Sequence, residues 1–170
     1  NDEVERICRN VSSPHSVVVM ANLNSEGQIV VSGDVDAVGR AIDALAEAGA
    51  RRVVPLSVSG AFHSPLMEPA QVPLKEALES VMFLPPRFPV MSNVTAGPVT
   101  DGGEARELLV EQLVRPVRWQ ESVSAMIGSG VDRFLEIGPG SVLTGLNRRN
   151  ARGVPTTPVG DPEQLEALKV

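Results

Sequence analysis

Apolar positions along the first sixty residues follow two different spacings. "DEVERIC" sets Val4 and Ile7 at helical spacing, and "DVDAVGRAIDALAEAGA" sets Val38, Ile42 and Leu45 on one helical face, with Asp34 as N-cap and Gly49 as C-terminal stop. Between them, "SVVVMAN" and "QIVVSG" are β-branched runs joined by "LNSEG", which predicts a β-hairpin. "RRVVPLSV" predicts one more strand. The order helix, strand, strand, helix, strand is a split βαβ arrangement of the ferredoxin-like kind lacking its first strand. Such a sheet exposes an edge, so residues 1–60 are expected to form a small subdomain that needs further chain to complete it.

From residue 61 the pattern changes to longer helical stretches between short apolar runs. "HSPLMEPAQVPLKEALESVMF" predicts a helix opening near Pro65, with Pro69 and Pro73 imposing an irregular start. "PVMSNV" and "RFLEIG" predict buried strands, and "GEARELLVEQLV", "WQESVSAMIGSG" and "SVLTGLNRRN" predict helices. "DPEQLEALKV" predicts a last helix, with Asp161 as N-cap and Pro162 at its first position. This alternation defines an α/β layered domain over residues 61–170, with a largely parallel sheet.

Composition then removes several classes of function. A net charge of −6 over 170 residues argues against a nucleic-acid binder, which needs a basic field to meet phosphates. The single cysteine, Cys8, cannot form an internal disulfide, and no apolar stretch is long enough to span a bilayer. With no signal segment at the start, the expectation is a cytoplasmic protein without a membrane partner. The chain opens on Asn1 rather than an initiator Met, which points to a beginning that has been cut. Two histidines and one cysteine give no zinc spacing, so no metal is expected.

The candidate chemistry is sparse. In "SGAFHSPL", His63 follows an apolar run at the end of a predicted strand, where α/β folds carry their catalytic loops. The residue types alone leave it open between a partly buried structural imidazole and a general base. His15, in "SSPHS", reads as a solvated turn histidine, and Cys8 as a small hydrophobe on a helix face. "EIGPGSVLTGL" lacks the lysine of a P-loop and is not G-x-G-x-x-G, so it reads as a tight strand-to-helix turn. Arg51 and Arg52 form a basic pair in an acidic chain, and Arg115 and Arg118 read as surface cations. No G-x-S-x-G elbow occurs anywhere, so a base at His63 has no serine presented in that way within this chain.

Four segments in order, "ANLNSEGQIVVSG", "RRVVPLSVSGAFHSPLM", "EQLVRPVRW" and "FLEIGPGSVLTGLNRR", resemble the malonyl-CoA:acyl carrier protein transacylases and the related acyltransferase domains of polyketide and fatty acid synthases. The resemblance covers nearly the whole chain but only the later part of the family's length. It implies the C-terminal portion of an α/β-hydrolase-like large subdomain joined to a ferredoxin-like small subdomain. The family's nucleophilic serine and carboxylate-binding arginine are implied to lie upstream.

By the same resemblance His63 takes the position of the catalytic histidine, and the main-chain carbonyl of Gln112 is implied to orient it. Phe62 is implied to favour malonyl over methylmalonyl groups, since a benzyl group beside the acyl α-carbon leaves no space for a branch methyl. Asn24 is implied to lie near the active site, and Arg51 and Arg52 to dock the acidic carrier protein. The implied reaction moves malonyl from CoA to the phosphopantetheine thiol of acyl carrier protein with no resident cofactor. Two alternatives stand beside it: an acyltransferase domain cut from a synthase, and a non-catalytic module that binds carrier protein.

Overall fold

The computed structural model describes residues 1–168. Strands β1 (Val18–Ser25) and β2 (Gln28–Gly33) form the expected antiparallel hairpin, with Val18 opposite Gly33 and Ser25 opposite Gln28. Gly27, at φ +71°, supplies the left-handed residue that the turn requires. The open end is closed by a reciprocal pair: Val17 N donates to Asp34 Oδ2 at 2.7 Å, and Asp34 N donates to Val17 O at 2.8 Å. Asp34 is therefore engaged across the hairpin and makes no side-chain cap on α2 (Val35–Glu47), which corrects its expected role. Only glycine fits at position 33, where a Cβ would lie 2.0 Å from Val17 O.

Helix α1 (Asp2–Val11) and α2 pack on each other and on the hairpin around Cys8, Val18, Ala37 and Ala41. The buried stripe of α2 is thus centred on its alanines, while Ile42 and Leu45 are only half-buried. Small side chains at the crossing let the helix lie close to its support. Cys8 is packed as a small hydrophobe, and burial pushes its thiol pKa up.

The strand expected over "RRVVPLSV" does not form. β-branched residues favour extended chain, but a strand exists only where a neighbour completes its hydrogen-bond ladder. No described strand pairs with residues 51–58, and Val54, Leu56 and Val58 remain exposed. The ferredoxin-like order is therefore also without its last strand, and His63 follows irregular chain rather than a strand end.

Beyond it, Pro65–Met67 makes a single 3-10 turn that leads into α3 (Glu68–Glu79). That helix ends before Val81 and Met82, shorter than the apolar pattern predicts. Two further pairs follow: β3 (Val90–Met91) with β4 (Pro98–Val99), antiparallel, and β5 (Phe134–Ile137) with β6 (Thr156–Val159), parallel. Among the described residues, the largely parallel sheet expected over residues 61–170 is thus reduced to one parallel pair, and the chain's sheets are three two-stranded ones. Nor is β5 buried, since Leu135 and Ile137 are 42% and 70% exposed. Strand β6 carries Pro158, a residue that disguises a strand in sequence but is tolerated on an edge.

The expected helices are present as α4 (Gly102–Glu111), α5 (Trp119–Gly128), α6 (Val142–Asn150) and α7 (Pro162–Ala167). Asp161 caps α7 as expected, accepting from Gln164 N at 2.8 Å, and Asp101 caps α4 through Glu104 N at 2.8 Å. The last two residues of the predicted final helix, 169–170, lie outside the described residues.

Residues 112–118 join the parts. Leu23 N donates to Val117 O and Val117 N to Ala21 O, both at 2.8 Å, so this segment runs parallel to β1 for one bridge. One residue on, Arg118 Nη1 donates to Val94 O at 3.2 Å while the guanidinium also binds Glu121. Arg118 is accordingly a structural clamp rather than the surface cation its sequence suggests.

Candidate active site

The turn bearing His63 is built by three constraints. Pro65 disfavours helical geometry in the residue before it, and Ser64 is extended, at φ −130° and ψ 164°. Ser64 is fully buried, and its hydroxyl donates to Ala61 O at 2.6 Å. His63 itself adopts φ +60°, a left-handed geometry that costs a non-glycine residue about 1–3 kcal/mol and persists only where its surroundings enforce it.

The surroundings here are two consecutive carbonyls just after α4. His63 N donates to Leu113 O at 3.0 Å, and its ring Nδ1 lies 2.9 Å from Gln112 O. A carbonyl oxygen can only accept, so Nδ1 is the donor, and in the neutral imidazole Nε2 is then the acceptor. The Gln112 side-chain nitrogen also lies 3.1 Å from Nδ1, a contact between two donors that rotating the amide relieves. The main-chain carbonyl, which cannot turn over, decides the tautomer. His63 as a residue is half-buried.

The structure brings His63 and Gln112 together, across 49 positions of sequence. Phe62, next to His63 in the chain, is 49% exposed, with its ring folded over Gly60, where an added Cβ would meet it at 3.2 Å. Asn24 lies near the end of β1, and its carbonyl accepts from Asn150 Nδ2 at 2.7 Å; no hydrogen bond links it to His63 or Gln112. Arg51 and Arg52 are exposed on the irregular chain after α2, and neither joins an ion pair among the described residues. His15 is exposed, as its turn setting predicts.

Ser64 and Leu113 are the contributors that the sequence reading missed. The signal for Ser64 was its place between a histidine and a proline, where its backbone conformation is restricted; Leu113 acts only through its main chain and leaves no side-chain signature.

The "EIGPGSVL" stretch makes the predicted tight turn, with Gly138 and Gly140 at φ +128° and +94°. Glu136 reaches across it and accepts from Leu143 N at 2.9 Å, Thr144 N at 2.7 Å and Thr144 Oγ1 at 2.6 Å. A carboxylate thereby caps α6 from the preceding strand, and the Thr144 hydroxyl foremost holds the Glu136 pKa below the usual carboxylate range. Two concavities, of about 480 and 540 Å³, lie along α6, and His63 lines neither of them. Among the described residues no cluster of histidine, cysteine or carboxylate side chains suits a metal ion, and no helix is long and apolar enough to cross a membrane.

The chain is mixed α/β with a histidine held by main-chain carbonyls, and comparison with known proteins assigns its family. The chain belongs to the acyl transferase domain family, which matches residues 2–160. It is 43% identical over 165 residues to the malonyl CoA-acyl carrier protein transacylase of Bacillus subtilis, covering 97% of this chain and 52% of that protein. Against the protein of the same name from Staphylococcus aureus strain MSSA476 it is 38% identical, covering 99% and 54%. Among solved structures it is similar to a type II polyketide synthase malonyl-transacylase in complex with its acyl-carrier protein, with a TM-score of 0.94, 41% identity and coverage of 98% and 54%. The acyl-carrier-protein S-malonyltransferase of Bartonella henselae gives a TM-score of 0.93 at 40% identity, covering 98% of this chain and 53% of that one. The chain spans about half the length of the curated relatives it matches.

Proposed function

We propose that this chain is the histidine-bearing portion of a malonyl-CoA:acyl carrier protein transacylase of fatty acid synthesis. Residues 1–60 are read as most of a ferredoxin-like small subdomain, and residues 61–170 as the later part of an α/β-hydrolase-like subdomain. The observation that carries the proposal is the 2.9 Å contact between His63 Nδ1 and Gln112 O. It leaves Nε2 as an acceptor, the state a general base needs.

In the reaction, Nε2 of His63 takes the proton of a serine hydroxyl supplied by the upstream part of the protein. The serine oxygen bonds to the thioester carbonyl carbon, the carbon–sulfur bond breaks, and the proton passes to the departing CoA sulfur. His63 then takes the proton of the carrier protein's phosphopantetheine thiol, whose sulfur displaces the serine oxygen, and returns that proton to serine. Gln112 O holds the ring and stabilises the imidazolium that forms in each half. CoA and phosphopantetheine thioesters are substrates, and no resident cofactor is required. Phe62 restricts the space at the acyl α-carbon, Asn24 borders the site from the small subdomain, and Arg51 and Arg52 attract an acidic carrier protein in the cytoplasm.

The exposed apolar side chains support an upstream portion that packs on this one. Leu56, Val58, Ile137 and Val142 are each more than half exposed, more than isolated surface positions require.

The test is the intact mass of the full-length protein before and after malonyl-CoA. A gain of one malonyl group that is then lost to added carrier protein is the expected result. No gain under conditions where the protein binds carrier protein would instead favour the non-catalytic module.

A further inference from the structure

We infer that Ser64 is a positioning residue for the transfer reaction, acting through His63; the inference rests on the reading of His63 as the base. The argument begins with the turn. His63 is one of two non-glycine residues at positive φ among those described, the other being Ala96. In an ordinary four-residue turn the amide of the last residue bonds to the carbonyl of the first. No main-chain hydrogen bond runs from Ser64 to Ala61; the Ser64 hydroxyl makes the closure instead, at 2.6 Å.

That hydroxyl is wholly buried and has Ala61 O as its partner. The carbonyl of the same residue accepts from Met67 N at 3.0 Å, starting the 3-10 turn that leads into α3. Ser64 therefore fixes both ends of a short arc. Its side chain ties the arc back to Ala61, its main chain ties it forward to α3, and His63 projects between. Within that arc the His63 amide and ring must meet the carbonyls of residues 113 and 112 at 3.0 and 2.9 Å together.

Removing the hydroxyl frees the left-handed residue to relax toward ordinary φ. A rotation of the main chain at Cα swings the imidazole through a lever of several bonds, so the loss falls on ring placement. Ser64 touches no reacting atom, and its effect belongs on kcat rather than on substrate affinity.

The experiment compares Ser64→Ala, Ser64→Cys and His63→Ala with the parent in the full-length protein. Three quantities are read: the malonyl–enzyme amplitude by intact mass, the single-turnover rate with KM for malonyl-CoA, and the downfield proton signal of a hydrogen-bonded imidazole Nδ1–H. For Ser64→Ala the expected outcome is full amplitude, a rate reduced about 10- to 100-fold, KM within about twofold of the parent, and a weakened Nδ1–H signal. Ser64→Cys, with a weaker donor of similar size, should fall between the two. A Ser64→Ala protein with parental rate and signal overturns the inference while leaving His63 as base if His63→Ala is slow. Parental activity in His63→Ala overturns both. Loss of amplitude in proportion to rate, with the signal intact, assigns Ser64 a stabilising role only and also overturns the inference. Should Ser64→Ala not fold, Ser64→Cys decides alone, and a parental rate and signal there overturn it.

Discussion

His63 Nδ1 sits 2.9 Å from the carbonyl oxygen of Gln112, a residue reached only after the chain has passed through α3, the β3–β4 pair and α4. Because the orienting group is main chain, the identity of side chain 112 matters less than that of side chain 63. His63→Ala should lower the single-turnover malonyl transfer rate of the full-length protein by about 10²- to 10⁴-fold, the usual contribution of a general base. Gln112→Ala keeps the carbonyl and should cost far less. Equal losses for both variants would show that the amide side chain, not the carbonyl, holds the ring.

Phe62 precedes His63 in the chain and is half exposed, with its ring over Gly60. Phe62→Ser should raise methylmalonyl relative to malonyl use, by at most about 1–3 kcal/mol, since one methyl group discriminates no more than that in an apolar pocket. The ratio of the two kcat/KM values is the readout. An unchanged ratio would return Phe62 to ordinary packing.

Under the proposed function Arg51 and Arg52 act through charge at a distance. Replacing both with Ser should raise the carrier-protein KM at low salt and flatten its dependence on salt, because screening then has less attraction to remove. The CoA half-reaction serves as the control. A matching change there would mean that the pair contributes to the protein's general field and not to docking.

Glu136 supplies a pH-dependent element of stability. Its pKa is depressed in the folded chain by the hydrogen bonds from Thr144 and Leu143, so its stabilising contribution is present above the unfolded value of about 4.3 and is lost as pH falls through the lower folded value. The thermal midpoint of the parent should therefore decline more steeply below about pH 4.3 than that of Glu136→Gln, and the two curves should converge as pH drops. Parallel curves would mean that the carboxylate charge contributes nothing to holding α6.

The local devices of the chain were legible in its order of residues. The hairpin followed from two β-branched runs around "NSEG", α7 from Asp161 and Pro162, and the strand-to-helix turn from "GPG", because each depends on neighbours within a few positions. Where a residue's partner is remote, the pattern misled. Asp34 has the chemistry of an N-cap but spends its carboxylate on Val17 N, and "RRVVPLSV" has the composition of a strand without a ladder to join.

The resemblance carried by the segments around His63 marked out the candidate residues, so the sequence by itself determined which side chain could serve as the base. What only the tertiary structure decided was the state of that side chain. The tautomer of His63 is set by a carbonyl 49 positions away, and its left-handed backbone is tied through its amide to Leu113 O. Main-chain carbonyls are the same at every position of a sequence. Their meaning as acceptors arises only when the fold points one of them at a ring nitrogen.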